Sequence, residues 1–254
     1  MILTARCLLF LCLAFSASPP SPAATIMHGP GRVVCRPEMG ADKRENVAER
    51  LREITGWTHL RFDADGALRG SAGAQTNERA GSRTARALLE EAAGGDNLVV
   101  LEDASGRDDV VFCRVVPGRW TGGGDGRPPA HIVLIDFADF SHVRGDSAAL
   151  SAFNVGWAVL HEIAHVVHNA ADAVAEAETG ECESLINQMR RELQLAERAE
   201  YHFKLFPGAD SGDFKTRYVR LAFERRHPAR KEKKRYWLVW DAQLVGGLSA
   251  AGRR

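Results

Sequence analysis

His161-Glu162-Ile163-Ala164-His165 gathers two imidazoles and a carboxylate within five residues, inside a run that reads as helix. Positions four apart on a helix lie one turn above each other, so His161 and His165 can converge on one metal ion. Glu162 projects beside them, where it could take a proton from a water at that ion. Two neutral nitrogens, one further ligand and an open position form the arrangement by which Zn2+ makes hydroxide near pH 7. The preceding stretch, Phe153-Asn-Val-Gly-Trp-Ala-Val-Leu160, is apolar. Ionisable residues in such a helix are costly to bury without partners, and a bound metal removes that cost.

A third ligand must come from elsewhere. His168 is close to His161 in angle but two turns along, too far to reach the same ion, and reads as structural. Glu176, Glu178, Glu181 and Glu183 open the next predicted helix, where acidic residues commonly serve the helix dipole. Glu183 stands apart because Asn187, one turn on, could hydrogen-bond the second nitrogen of a metal-bound imidazole. Glu183 is therefore the expected third ligand, and Glu181, with Leu185 at the same spacing, is the alternative. Tyr201 could donate to an oxyanion, although spacing alone favours a half-buried core tyrosine.

The positioning elements can be read from periodicity and turn residues. Helices are predicted over 46–54, 82–93, about 148–169 and 181–195, the third carrying the histidine pair. Strands are predicted over 98–101, 110–116 and 131–137, with a hairpin around Asp63-Ala-Asp-Gly66 and a further strand at 236–240. The strand at 131–137 should back the site, as an edge strand lining the substrate cleft. The glycine-rich stretch from Gly122 to Pro129 is the best internal boundary. It divides the chain into an N-terminal α+β part, 25–121, and a catalytic part, 122–254, with a basic tail.

Three segments together, Leu160-His-Glu-Ile-Ala-His-Val-Val-His168, Gly180-Glu-Cys-Glu-Ser-Leu-Ile-Asn-Gln-Met-Arg-Arg-Glu-Leu193 and Arg198-Ala-Glu-Tyr201, resemble the effector-type zinc metallopeptidases of bacteria. These belong to the zincin clan and are gluzincin-like. The helix and strand at 82–101 are similar too, and the likeness covers roughly residues 80–205. It implies an α+β zincin-like core: a long H-E-x-x-H helix, a small mixed sheet and a second, ligand-bearing helix. It also implies Zn2+ on His161, His165 and a helix glutamate, Glu162 as general base, and a protein or peptide substrate. The chain departs from this family in lacking a glutamate directly before Asn187, so the family does not choose between Glu183 and Glu181. His168 and Ala171 stand where the metzincin extension needs Gly and His, which excludes that subclass.

The 254 residues carry 33 basic and 33 acidic side chains. That balance gives no reason to expect a nucleic-acid or anionic-membrane partner. The basic run Arg225 to Arg235 lacks the aromatic interleaving of a single-strand binder and reads as a solvated face. At the N-terminus, Arg6, the short apolar run Cys7 to Phe15 and small residues up to Ala24 have the form of an export signal over residues 1–24. The run is too short to span a bilayer, so an exported, periplasmic or secreted, protein without stable membrane insertion is expected. Cys35, Cys113 and Cys182 would remain after cleavage. A Cys35–Cys113 disulfide is expected in an oxidising compartment, with Cys182 as a packing residue or, alternatively, a sulfur ligand. Two other functions stay open: hydrolysis of a non-peptide bond at the same zinc, and a catalytically idle zincin-fold binding module.

Overall fold

The computed structural model describes residues 32–70, 81–118, 129–175, 178–205, 218–226 and 232–246. The expected export signal, most of the glycine-rich boundary and Glu176 lie outside the described residues. The first half runs β1 (Val33–Cys35), α1 (Ala41–Thr55), the hairpin β2 (Arg61–Phe62) and β3 (Leu68–Arg69), α2 (Arg83–Gly94), β4 (Leu98–Asp103) and β5 (Cys113–Pro117). Then follow β6 (Ala130–Ile135), α3 (Phe137–His142), β7 (Arg144–Gly145), α4 (Ser147–Ser151), α5 (Val155–His168) and α6 (Gly180–Glu192). The chain continues with the short strands β8 (Glu197–Arg198) and β9 (Lys204–Leu205), then the long pair β10 (Tyr218–Arg226) and β11 (Lys233–Asp241). The fold is mixed α+β. Among the described residues, no helix is long and apolar enough to cross a membrane.

A four-stranded sheet has the order β1-β4-β6-β5, parallel except for the antiparallel edge strand β5. β6 lies inside this sheet, not at its edge, so the stretches 25–121 and 122–254 share one sheet. The main core fills the space between that sheet and α1, α2, α5 and α6, with Leu51, Leu88, Leu101, Ile135 and Leu160 fully buried. A second sheet pairs β10 with β11 in a nine-residue antiparallel register, flanked by β7, β8 and β9. Its own core holds Phe223, Leu238 and Trp240, which pack against α4 and Phe112.

The predicted helix at 148–169 is two helices. Asn154 interrupts it, and its side chain accepts from Gly156 N at 3.0 Å and Trp157 N at 3.4 Å. Asparagine competes well for free N–H groups at a helix start, so α5 begins there with a cap of its own. Gly156 then lets α5 approach α1 closely, because a Cβ at that position would lie 2.7 Å from Arg50 Cβ.

The Cys35–Cys113 bond does not form. Cys35 lies on one outer strand and Cys113 on the opposite one, with β4 and β6 between them. Three strand spacings amount to about 14 Å, twice the largest Cα separation a disulfide bridges. Both are free thiols, as is Cys182.

Candidate metal centre

α5 is buried along most of its length and presents His161 and His165 from successive turns, with Glu162 beside His161. The two imidazole rings stand 4.8 Å apart at 82°. Asn169 ends the helix in the left-handed conformation, with φ 50°, and turns the chain back across the motif. That return places Asp172 on the pair, with Oδ1 3.1 Å from His161 Nε2 and 3.4 Å from His165 Nε2. Asp172 also bonds the Tyr201 side chain, whose ring stacks on His161 at 6.0 Å and 19°.

Each imidazole is held through its other nitrogen. His165 Nδ1 lies 2.7 Å from the Ala170 carbonyl, an acceptor, which places a proton on Nδ1 and turns Nε2 toward Asp172. His161 Nδ1 lies 3.3 Å from Glu183 Oε2. Glu183, expected among the ligands, is thus behind His161 and not beside Nε2. The ring nitrogens point in different directions, so a carboxylate on Nδ1 does not share an ion held at Nε2. Its oxygens are engaged further, Oε1 by Arg190 Nη1 and Oε2 by Arg198 Nη1 at 3.0 Å. Asn187, expected to brace an imidazole, instead binds the Arg198 backbone in both directions, at 2.8 and 2.9 Å. Glu181 accepts from Ala171 N at 3.2 Å and so fixes the returning loop. His168 pairs with Glu91 on α2 at 2.8 Å, away from the motif.

Cys182 is completely buried, and its thiol donates to the His161 carbonyl at 3.1 Å. Donor atoms of His161, His165, Asp172 and Cys182 all lie within 4.8 Å of one another. Asp172 escapes sequence reasoning because it sits in a loop with no periodicity. The available signal is that it is the first carboxylate after His165.

The electrostatics favour a cation. Burial opposes charge on Asp172, but bonds from His161, His165 and Tyr201 outweigh it and hold its carboxyl far below the usual range. Burial likewise opposes charge on Glu183, yet Arg190, Arg198 and His161 keep it ionised. The Asp172 carboxylate raises His165 to about 10, so a metal at Nε2 would have to displace a proton there. Glu162 is pushed upward by burial, and its Oε2 accepts from Val115 N on edge strand β5 at 2.9 Å.

Zinc fits these residues on distance and chemistry. Bonds of about 2.0–2.1 Å in a tetrahedron set ligand atoms about 3.3–3.4 Å apart, close to the two Nε2–Oδ1 separations found. Two nitrogens and a carboxylate oxygen also match the ion's ligand preference. Comparison with protein-family models, with curated proteins and with solved structures returns no match for this chain.

Proposed function

We propose that this chain is an exported zinc metallopeptidase of zincin type, in which His161, His165 and Asp172 hold the ion. The observation that carries the proposal is Asp172 Oδ1 within 3.4 Å of both Nε2 atoms of an H-E-x-x-H helix. Zinc held there would act as a Lewis acid on a carbonyl and lower the pKa of water toward neutrality. Glu162 takes the proton from the attacking water and returns it to the leaving amine. Burial favours this role, since it raises the carboxyl toward the operating pH. Tyr201 donates its hydroxyl to Asp172 beside His161, and it would donate to the tetrahedral oxyanion only on leaving that bond. Among the described residues β5 is the outer strand of its sheet and lies next to Glu162, so an extended peptide can pair along it beyond Val115. Export rests on the pattern of residues 1–24 alone.

One observation favours a second reading. If Cys182 joins the other three donors, the ion is closed off by four ligands and is structural. The zinc content of purified wild type, Asp172→Ala and Cys182→Ala separates the two. For the peptidase, one zinc per chain in wild type is lost in Asp172→Ala and retained in Cys182→Ala. Loss of zinc from Cys182→Ala would establish the closed site instead.

A further inference from the structure

A closed chain of contacts surrounds His161 and passes through one guanidinium. Glu183 Oε2 lies 3.3 Å from Nδ1 of the ring and accepts from Arg198 Nη1 at 3.0 Å. Arg198 Nη2 donates to the Tyr201 carbonyl, and the Tyr201 hydroxyl donates to Asp172. Asp172 Oδ1 returns to Nε2 of His161 at 3.1 Å. With the Tyr201 ring stacked on the imidazole, both nitrogens and one face of His161 are set by groups tied to Arg198. His165 shares only Asp172 with this chain, and its Nδ1 is held separately by the Ala170 carbonyl.

Arg198 is anchored well enough to hold such a chain. Its N–H donates to Asn187 Oδ1 at 2.8 Å and its carbonyl accepts from Asn187 Nδ2 at 2.9 Å, which ties the backbone to α6. In β8 it also stands opposite Phe223 of β10, so the second sheet fixes it from the other side. From this point Nε donates to the Glu200 carbonyl at 3.2 Å, while Nη1 and Nη2 take Glu183 and Tyr201. A guanidinium carries its donors in one rigid plane, so fixing three acceptors around it fixes them relative to one another. A lysine ammonium is a point charge on a flexible stem. It can stay beside Glu183 but cannot reproduce that plane.

Charge balance alone does not call for Arg198. Glu183 already has a buried counter-charge in Arg190, which meets its other oxygen. What Arg198 adds is the link to Tyr201. Its guanidinium carbon lies 4.8 Å from the centre of the Tyr201 ring, a cation–π contact that orients the ring as well as the main chain. Tyr201 N donates to the Glu178 carbonyl at 3.1 Å, so the residue is gripped on both sides of its Cα. Arg198 and Tyr201 also line, with His161 and Glu162, a cavity of about 320 Å3 beside the motif.

We infer that Arg198 is a positioning residue of the candidate centre: its guanidinium sets Tyr201 against Glu183 and thereby holds the His161 ring and Asp172 in the arrangement that receives the ion. The inference rests on the reading of His161, His165 and Asp172 as ligands for the word ion, and on the contacts themselves for the positioning.

The test uses the full chain with Arg198→Lys, Tyr201→Ala and the two combined. In chelator, without zinc, the imidazole resonances are followed by NMR. Arg198→Lys is expected to shift the His161 ring, because the Tyr201 ring leaves its face, and to move His165 much less. Tyr201→Ala should give the same pattern. Zinc affinity, from competition against a chelator, should fall about 10–100-fold in each single variant. The double variant should bind no more weakly than Tyr201→Ala, since both changes act through one chain of contacts. Wild-type His161 resonances and zinc affinity in Arg198→Lys overturn the inference, as do additive losses in the double variant. Equal displacement of His161 and His165 in Arg198→Lys marks a general loosening of the site and overturns it too. Unmoved His161 resonances in Tyr201→Ala overturn it even if Arg198→Lys fails to fold. No readout involves a peptide, so the expected shifts in a protein that cleaves nothing remove the peptidase and leave Arg198 in its role.

Discussion

Asp172 and Glu183 are both carboxylates on His161, and they act on opposite nitrogens of its ring. Glu183 is also the counter-charge of Arg190, which is 2% exposed and bonded to the Ala152 carbonyl at 3.0 Å. Removing one partner of a buried ion pair costs about 3–5 kcal/mol, because the other charge is left unpaired. Glu183→Gln should therefore lower the thermal midpoint of the metal-free protein strongly. Asp172→Ala should lose zinc with a much smaller change in that midpoint. A calorimetric scan of both variants in chelator checks this, and equal destabilisation by the two would contradict the division of roles. The sequence supports acidic residues near the histidines but cannot say which nitrogen each one meets. Asn187, four residues past Glu183, bonds the Arg198 backbone, and it is Glu183 that meets His161 Nδ1.

At the scale of elements, the loop between α5 and α6 decides whether Asp172 reaches the histidines. Asp172 bridges Gly180, which has φ 74° and would bring a Cβ within 2.4 Å of Ala173 N. Gly180→Ala should push the loop off α6 and weaken zinc binding about 10–100-fold without touching a ligand. A competition titration against a chelator reads this directly, and unchanged affinity would show that the loop is not held there. α2 and α6 are joined by Glu192, which accepts from Ser82 Oγ at 2.6 Å and from Thr84 N at 3.0 Å. Burial raises the Glu192 carboxyl, but these bonds prevail and bring it below 4.5. Its contribution is therefore complete above pH 4.5 and lost as the pH falls through the lower folded value. Glu192→Gln should cost about 1 kcal/mol at pH 7, as the loss of a helix-start contact does. The gap to wild type should close in acid, and a gap that widens between pH 5 and pH 3 would reverse the sign. The break at Asn154 was hidden by periodicity, since Leu150, Phe153 and Trp157 continue a helical spacing. Leu150 is 39% exposed, so that spacing did not mark one buried face. β10 could have been read, because Val219, Leu221 and Phe223 alternate inward.

Across the whole molecule, the proposed site lies where two cores meet. α5 belongs to the core under the four-stranded sheet, while Phe112 and Trp240 belong to the core of the second sheet. The cavity between them joins Glu162 to rings that are far apart in sequence. Local pattern shows the longer helices, the strands β2 to β6 and β11 and the histidine pair, because each depends on neighbours within a few residues. It does not show strand order, and that is why Cys35 and Cys113 looked like partners while occupying opposite edges. Nor does it show that the C-terminal hairpin reaches the motif helix. The peptidase mechanism turns on one proton acceptor in this setting. Glutamine at 162 keeps the size of the side chain and cannot accept a proton at neutral pH. The decisive measurement is turnover of a peptide mixture by wild type and Glu162→Gln at equal zinc content. Full zinc occupancy with turnover reduced about 10²–10⁴-fold is expected, and near-normal turnover by Glu162→Gln would contradict general-base hydrolysis at this site.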